Sequence, residues 1–153
     1  MIKKILYVDM DNVLVDFQSG IDKLPIDKVK EYFGRMDEVP GIFALMDPLE
    51  GAIDGFKKLA QLFDIYILST APWNNSSAWH DKHVWVKKYL GGEAEKRLIL
   101  SHHKHLNKGD FLIDDRHNKN GSDKFSGELI HFGPGNTFPS WKEVVEYLKR
   151  RVE

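Results

Sequence analysis

Five short, largely apolar and β-prone runs punctuate the chain, at 5–8, 65–68, 97–100, 111–113 and 129–132, and most stop at polar residues. Unbroken runs of this length, without alternation, predict strands buried on both faces. Helical periodicity fills the intervals. Leu49, Ala52, Ile53, Phe56, Ala60 and Phe63 share one face of a helix. Its start is predicted at Asp47, with Pro48 in the first position and Glu50 three residues after the cap. Ser76 or Ser77 is predicted to cap a second helix that runs to Leu90 and stops at Gly91-Gly92. Ser140-Trp141-Lys142-Glu143 reads as a capping box, opening a last helix with Val144, Val145, Leu148 and Val152 inward. Strands alternating with helices predict an α/β domain, a three-layer Rossmann-like arrangement around a mainly parallel sheet.

Residues 18–40 break this rhythm. They stand where a strand-to-helix turn is normally short, look helical around 26–36, and are read as a small helical cap inserted over the top of the sheet. Residues 1–153 otherwise form one domain. Its composition, 42% apolar and 29% charged, is that of an ordinary globular protein. Twenty-two basic residues against 23 acidic ones leave a net charge of −1, with no block of either sign. That disfavours a polymeric nucleic acid as partner. The absence of cysteine removes disulfides, thiolate zinc sites and thiol nucleophiles together. No segment approaches the roughly 20 apolar residues of a membrane span. The start resembles a signal peptide only in Lys3 and Lys4, because Asp9 and Asp11 cut the apolar run that follows. The expectation is a cytoplasmic protein without a membrane partner; a homodimer is compatible with it.

In parallel α/β sheets, ligands bind beyond the carboxyl ends of the strands. Three predicted strand ends carry polar pairs: Asp9 and Asp11, Ser69 and Thr70, Asp114 and Asp115. A lone Asp-x-Asp is ordinary strand-ending turn chemistry. Three or four carboxylates at one sheet edge repel one another unless a cation sits among them, and a hard, all-oxygen donor set suits Mg²⁺. Thr70, with Ser69, offers donors for a phosphate oxygen opposite that centre. Lys104, ten residues before Asp114, is the basic residue placed to join them. His80, His83, His102, His103 and His105 lack transition-metal spacing and read as partly exposed side chains near an anionic site. Trp73, Trp79 and Trp85 read as packing residues.

The stretch 5–17, ILYVDMDNVLVDF, resembles motif I of the haloacid dehalogenase (HAD) superfamily, and more narrowly the 5'(3')-deoxyribonucleotidase family, whose motif reads DMDxVLxDF. GIFALMDPLEGA (41–52), ILST (67–70), WVKKYLG (85–91), ILSHHK (99–104), DFLIDDR (110–116) and PSW (139–141) agree with it in order. The resemblance implies a Mg²⁺-dependent phosphomonoesterase acting on (deoxy)nucleoside 5'-monophosphates through an aspartyl-phosphate. It makes Asp9 the nucleophile and Asp11 the general acid/base. Ser69, Thr70 and Lys104 hold the phosphoryl group, and Asp9, Asp11, Asp115 and Asp114 form the metal site. Phe17 and Phe43 fall where the family places aromatic side chains against base or sugar. The insertion is shorter than the family's usual cap, so a small monoester such as a sugar phosphate stays open as substrate. Two other readings share parts of the pattern. A receiver-like phospho-acceptor domain would not need Asp11, and a glycosyltransferase with a metal-binding Asp-x-Asp would need more chain.

Overall fold

The computed structural model describes residues 2–152. In chain order the strands are β1 (Ile5–Val8), β2 (Val15–Asp16), β3 (Asp47–Pro48), β4 (Asp64–Ser69), β5 (Leu98–Leu100), β6 (Phe111–Asp114) and β7 (Glu128–His131). The α-helices are α1 (Phe17–Asp22), α2 (Ile26–Glu31), α3 (Ile42–Leu45), α4 (Ala52–Ala60), α5 (Ser76–Tyr89) and α6 (Trp141–Lys149). Five strands form one parallel sheet in the order β5-β4-β1-β6-β7. The central strand β1 sets Val8 opposite Ile67 on one side and Ile113 on the other. The residues that follow β1, β4 and β6 therefore emerge side by side at one edge.

Alternation divides the sheet's side chains between two apolar clusters. Leu6, Val8, Ile65, Ile67, Phe111 and Ile113 join the large core with Phe56, Leu59, Trp85, Trp141, Val144 and Leu148 of the helices. Tyr7, Leu68 and Leu112 point the other way and meet Phe125, which follows the 3-10 turn Ser122–Lys124. The α/β fold with a mainly parallel sheet is as predicted, with one face covered by helices and the other by a thinner layer of turns.

Two predicted helix starts are corrected. Asp47-Pro48 does not open a helix; it pairs antiparallel with Val15–Asp16, and α4 begins at Ala52 after Gly51. Long-range partners hold it there: the Asp47 amide donates to Ser19 Oγ at 2.8 Å, and Lys23 Nζ donates to the Asp47 carboxylate at 2.8 Å. Asn75, rather than Ser76 or Ser77, caps α5. Its side chain holds another element in place, donating to the carbonyls of Asp37 (2.9 Å) and Val39 (3.0 Å). Ser140 does occupy the cap of α6, but its hydroxyl turns to the Glu143 carboxylate instead of making the backbone bond of a capping box. Within 18–40 lie most of α1, all of α2 and the 3-10 turn Met36–Glu38. None of the α2 residues is buried, whereas Val39, Ile42 and Phe43 enter the large core.

Candidate active site

The loop after β1 is built to fold back on itself. The Met10 carbonyl accepts from the amides of Val13 (3.1 Å), Leu14 (2.8 Å) and Val15 (3.0 Å). Asn12 takes the left-handed conformation that such a turn requires, with φ of 59°. Buried Met10, Val13 and Leu14 anchor the loop in the core, so Asp9 and Asp11 are left at the sheet edge. Both line a cleft of about 680 Å³.

Asp9 is buried, and its amide donates to the Ile113 carbonyl at 2.9 Å. Lys104, also buried, places Nζ 3.1 Å from Asp9 Oδ1 and 2.7 Å from Asp114 Oδ2. Asp114 Oδ1 accepts from the Arg116 amide at 3.0 Å, and His131 Nε2 donates to the Asp115 carbonyl at 3.1 Å. One carboxylate oxygen each from Asp9, Asp114 and Asp115 lies within 4.8 Å of the others. Among the described residues no histidine joins that cluster. The Asp11 side chain is not part of it either. It turns to Lys82, whose Nζ stands 3.2 Å away.

The electrostatics divide the carboxylates. Burial works against charge on Asp9, yet Lys104 and Lys82 outweigh it and hold its carboxyl below the usual carboxylate range. Burial, with the charge of Asp9 beside it, pushes Asp11 up despite Lys82. Asp114 and Asp115 are pushed up to about 8 and about 7, first by burial and then by Asp9. Lys104 is raised: Asp9 and Asp114 overcome the burial that opposes its charge. Asp9, Asp114 and Asp115 thus form an all-oxygen set short of positive charge, which is the donor chemistry of a hard divalent cation.

Comparisons with known proteins point to one family. The family model described as "5' nucleotidase, deoxy (Pyrimidine), cytosolic type C protein" matches residues 28–146. A protein of Vibrio phage KVP40, named provisionally as a 5'(3')-deoxyribonucleotidase, is 62% identical over 146 residues, covering 95% of this chain and 85% of its own. The chain belongs to the 5'(3')-deoxyribonucleotidase family. A more distant member, the human cytosolic-type 5'(3')-deoxyribonucleotidase, is 25% identical over 167 residues, covering 90% of this chain and 77% of its own. Among solved structures, the provisionally assigned HAD-hydrolase YfnB of Bacillus subtilis superposes with a TM-score of 0.64 at 16% identity over 100% of both chains, which shows the shared fold. Membership makes the chain a hydrolase of phosphoric monoesters and removes the receiver-like and glycosyltransferase readings.

Not every residue expected in a family site stands where the sequence placed it. Thr70 lines the cleft, with its hydroxyl donating to the Ser101 carbonyl at 2.7 Å. Ser69 is fully buried and is not among the residues that line the cleft; its Oγ accepts from Lys82 at 2.7 Å. Phe17 lines the cleft, but Phe43 is buried behind it, edge-on to Phe17 with ring centroids 5.8 Å apart. Phe43 instead offers its face to Lys82 Nζ, 4.7 Å from the ring centre. Trp79 and Trp85 pack as expected, whereas Trp73 is exposed on the cleft rim.

Lys82 is the site residue that sequence reasoning missed. It is a fully buried lysine on α5, bonded to Asp11, Ser69 Oγ and the Thr70 carbonyl. Its signal was legible: positions 78, 82, 85 and 86 share one helical face, and the other three are Ala78, Trp85 and Val86. A lysine in the middle of an apolar stripe is almost never fully buried unless paired.

Proposed function

We propose that this enzyme hydrolyses nucleoside 5'-monophosphates, deoxyribonucleotides first, through a phosphoryl group carried on Asp9. The observation that carries the reading is the juxtaposition of Asp9, Lys104 and the Asp114–Asp115 pair on the wall of a cleft of about 680 Å³. That volume lies within the roughly 300–1,000 Å³ of small-molecule sites. The name of the matching family model and those of the relatives support a nucleotide as the occupant.

Asp9, held ionised by two lysines, attacks phosphorus, and the displaced oxygen leaves as the nucleoside alcohol. Asp11, whose carboxyl is pushed above the usual carboxylate range by burial and by the charge of Asp9, donates the proton to that oxygen. It then takes a proton from the water that hydrolyses the aspartyl-phosphate. Opposite shifts on neighbouring carboxyls are what a nucleophile and an acid require. Lys104 neutralises phosphoryl oxygens as charge spreads over them. Asp9, Asp114 and Asp115 would hold Mg²⁺, which supplies charge neutralisation between two anions that otherwise repel.

Mg²⁺ should therefore be required, and EDTA should abolish turnover; full activity without metal, or with Zn²⁺ alone, would contradict the assignment. A proton competes with the cation for these carboxylates. With folded pKa values raised to about 8 and about 7, the metal-free fold gains from protonation at low pH and loses that gain as pH rises through these values. The increase in Tm on adding Mg²⁺ should be larger at pH 8 than at pH 6, as a thermal melt at both will show. An equal shift at both would remove Asp114 and Asp115 from the site.

The substrate assignment is tested by kcat/KM for dUMP, dTMP, UMP, dGMP and deoxyribose 5-phosphate. A pyrimidine deoxyribonucleotide should be best. A 2'-hydroxyl left without a partner costs about 1–3 kcal/mol, roughly tenfold or more against UMP. If the sugar phosphate is best, the phosphatase chemistry stands and the nucleotide assignment fails.

A further inference from the structure

The rim of the cleft carries a side chain that neither the fold nor the phosphate chemistry uses. Trp73, in the loop after β4, is 80% exposed and lines the cleft with Asp9, Thr70 and Lys104. It meets His102 nearly edge to face, with ring centroids 5.9 Å apart and planes at 74°. His102 in turn lies against Trp79, at 6.0 Å and 38°. Trp79 is packed on the large core. Three rings therefore climb from the core to the rim, and the outermost is open to solvent. The loop that carries it is fixed at both ends. Thr70 Oγ1 donates to the Ser101 carbonyl at 2.7 Å, and Asn75 bonds the Asp37 and Val39 carbonyls.

Scattered exposed apolar residues need no special account. Trp73 differs because its ring is braced by another and stands on the wall of the cleft that holds the nucleophile. The aromatic rings lining that cleft, among the described residues, are Phe17, Trp73 and His102. Phe17 is half-buried and His102 is engaged between two tryptophans. Trp73 is the ring with area to offer.

We propose that Trp73, braced by His102, is the platform on which the substrate's nucleobase stacks, and that it sets the preference for nucleotides over phosphate monoesters that lack a base. This rests on the nucleotidase reading above. With phosphorus at Asp9, the leaving group must extend toward the mouth, and a flat base there meets a flat apolar ring. Every base has a π face, so a stacking contact does not choose among bases. The selectivity that Trp73 confers is for the presence of a base.

The test is the ratio of kcat/KM for dTMP to that for deoxyribose 5-phosphate, measured on the parent, Trp73→Ala and Trp73→Phe. Losing one base stack should lower the ratio about tenfold in Trp73→Ala, mainly through KM for dTMP, and Trp73→Phe should keep most of it. Since the side chain is largely exposed, both variants should melt close to the parent. A Trp73→Ala ratio within twofold of the parent's, or a Trp73→Phe ratio as low as that of Trp73→Ala, would overturn the proposal. The two readings fail separately. A parent that prefers deoxyribose 5-phosphate sinks the nucleotidase assignment, while the change in ratio on mutation still decides whether Trp73 contacts the base.

Discussion

Asp9→Asn should reduce kcat by at least about 10⁴-fold, because the amide that replaces the carboxylate is no nucleophile toward phosphorus. The loss should be in chemistry and not in the fold. Asn matches Asp in shape, and the Asp9 backbone stays bonded to Ile113. Lys104 keeps Asp114 as its partner at 2.7 Å when the Asp9 charge is gone. Steady-state assays with dTMP give the first measure. Acid quenching of the parent with labelled substrate gives the second: radiolabel should remain on the protein in the parent and be absent from the variant. A variant that retains activity within tenfold of the parent, or a parent that never carries label, would sink the covalent mechanism.

The parts of this site that were readable from sequence are those tied to strand ends. A buried parallel strand is an unbroken apolar run, so its last residue can be located closely, and Asp9, Thr70, Asp114 and Asp115 follow from that location. Lys104 is marked by its spacing from the acidic pair. What could not be read depends on contacts between distant segments. Asp47 has every local mark of a helix start, yet pairing with Asp16 and a bond from Lys23 hold it in a strand. Ser69 and Thr70 are neighbours with similar chemistry, and alternation turns one into the interior and leaves the other at the cleft. Phe17 and Phe43 both suit an apolar wall. Phe43 is on α3, two residues after Gly41, whose amide donates to Ser77 Oγ at 3.0 Å. Seating against α5 buries the Phe43 ring beneath Phe17. Short helices with few buried residues have little periodicity to reveal such a choice.

Lys82→Met is the second substitution expected to have a large effect, and it should act through Asp11. The ammonium is fully buried, 3.2 Å from Asp11 Oδ1, 2.7 Å from Ser69 Oγ and 3.0 Å from the Thr70 carbonyl. Methionine fills similar volume without a donor. Removing one partner of a buried ion pair costs about 3–5 kcal/mol. Here the Asp11 side chain keeps 31% of its exposure, so water recovers part of that, and a loss near 2 kcal/mol is expected. Denaturant unfolding would measure it. For catalysis, Asp11 would lose the contact that holds its carboxyl in place, and kcat should fall about 10²-fold, the scale of acid–base assistance, with KM changed far less. Asp11→Asn supplies the control. If Lys82 works by positioning Asp11, the double variant should be no slower than Asp11→Asn alone, since there is no longer an acid to position. Effects on kcat that multiply would instead mean that Lys82 also acts apart from Asp11, through the charge it sets beside Asp9 or on the phosphoryl group. An unchanged kcat in Lys82→Met would confine this buried charge to holding α5 against the end of β4.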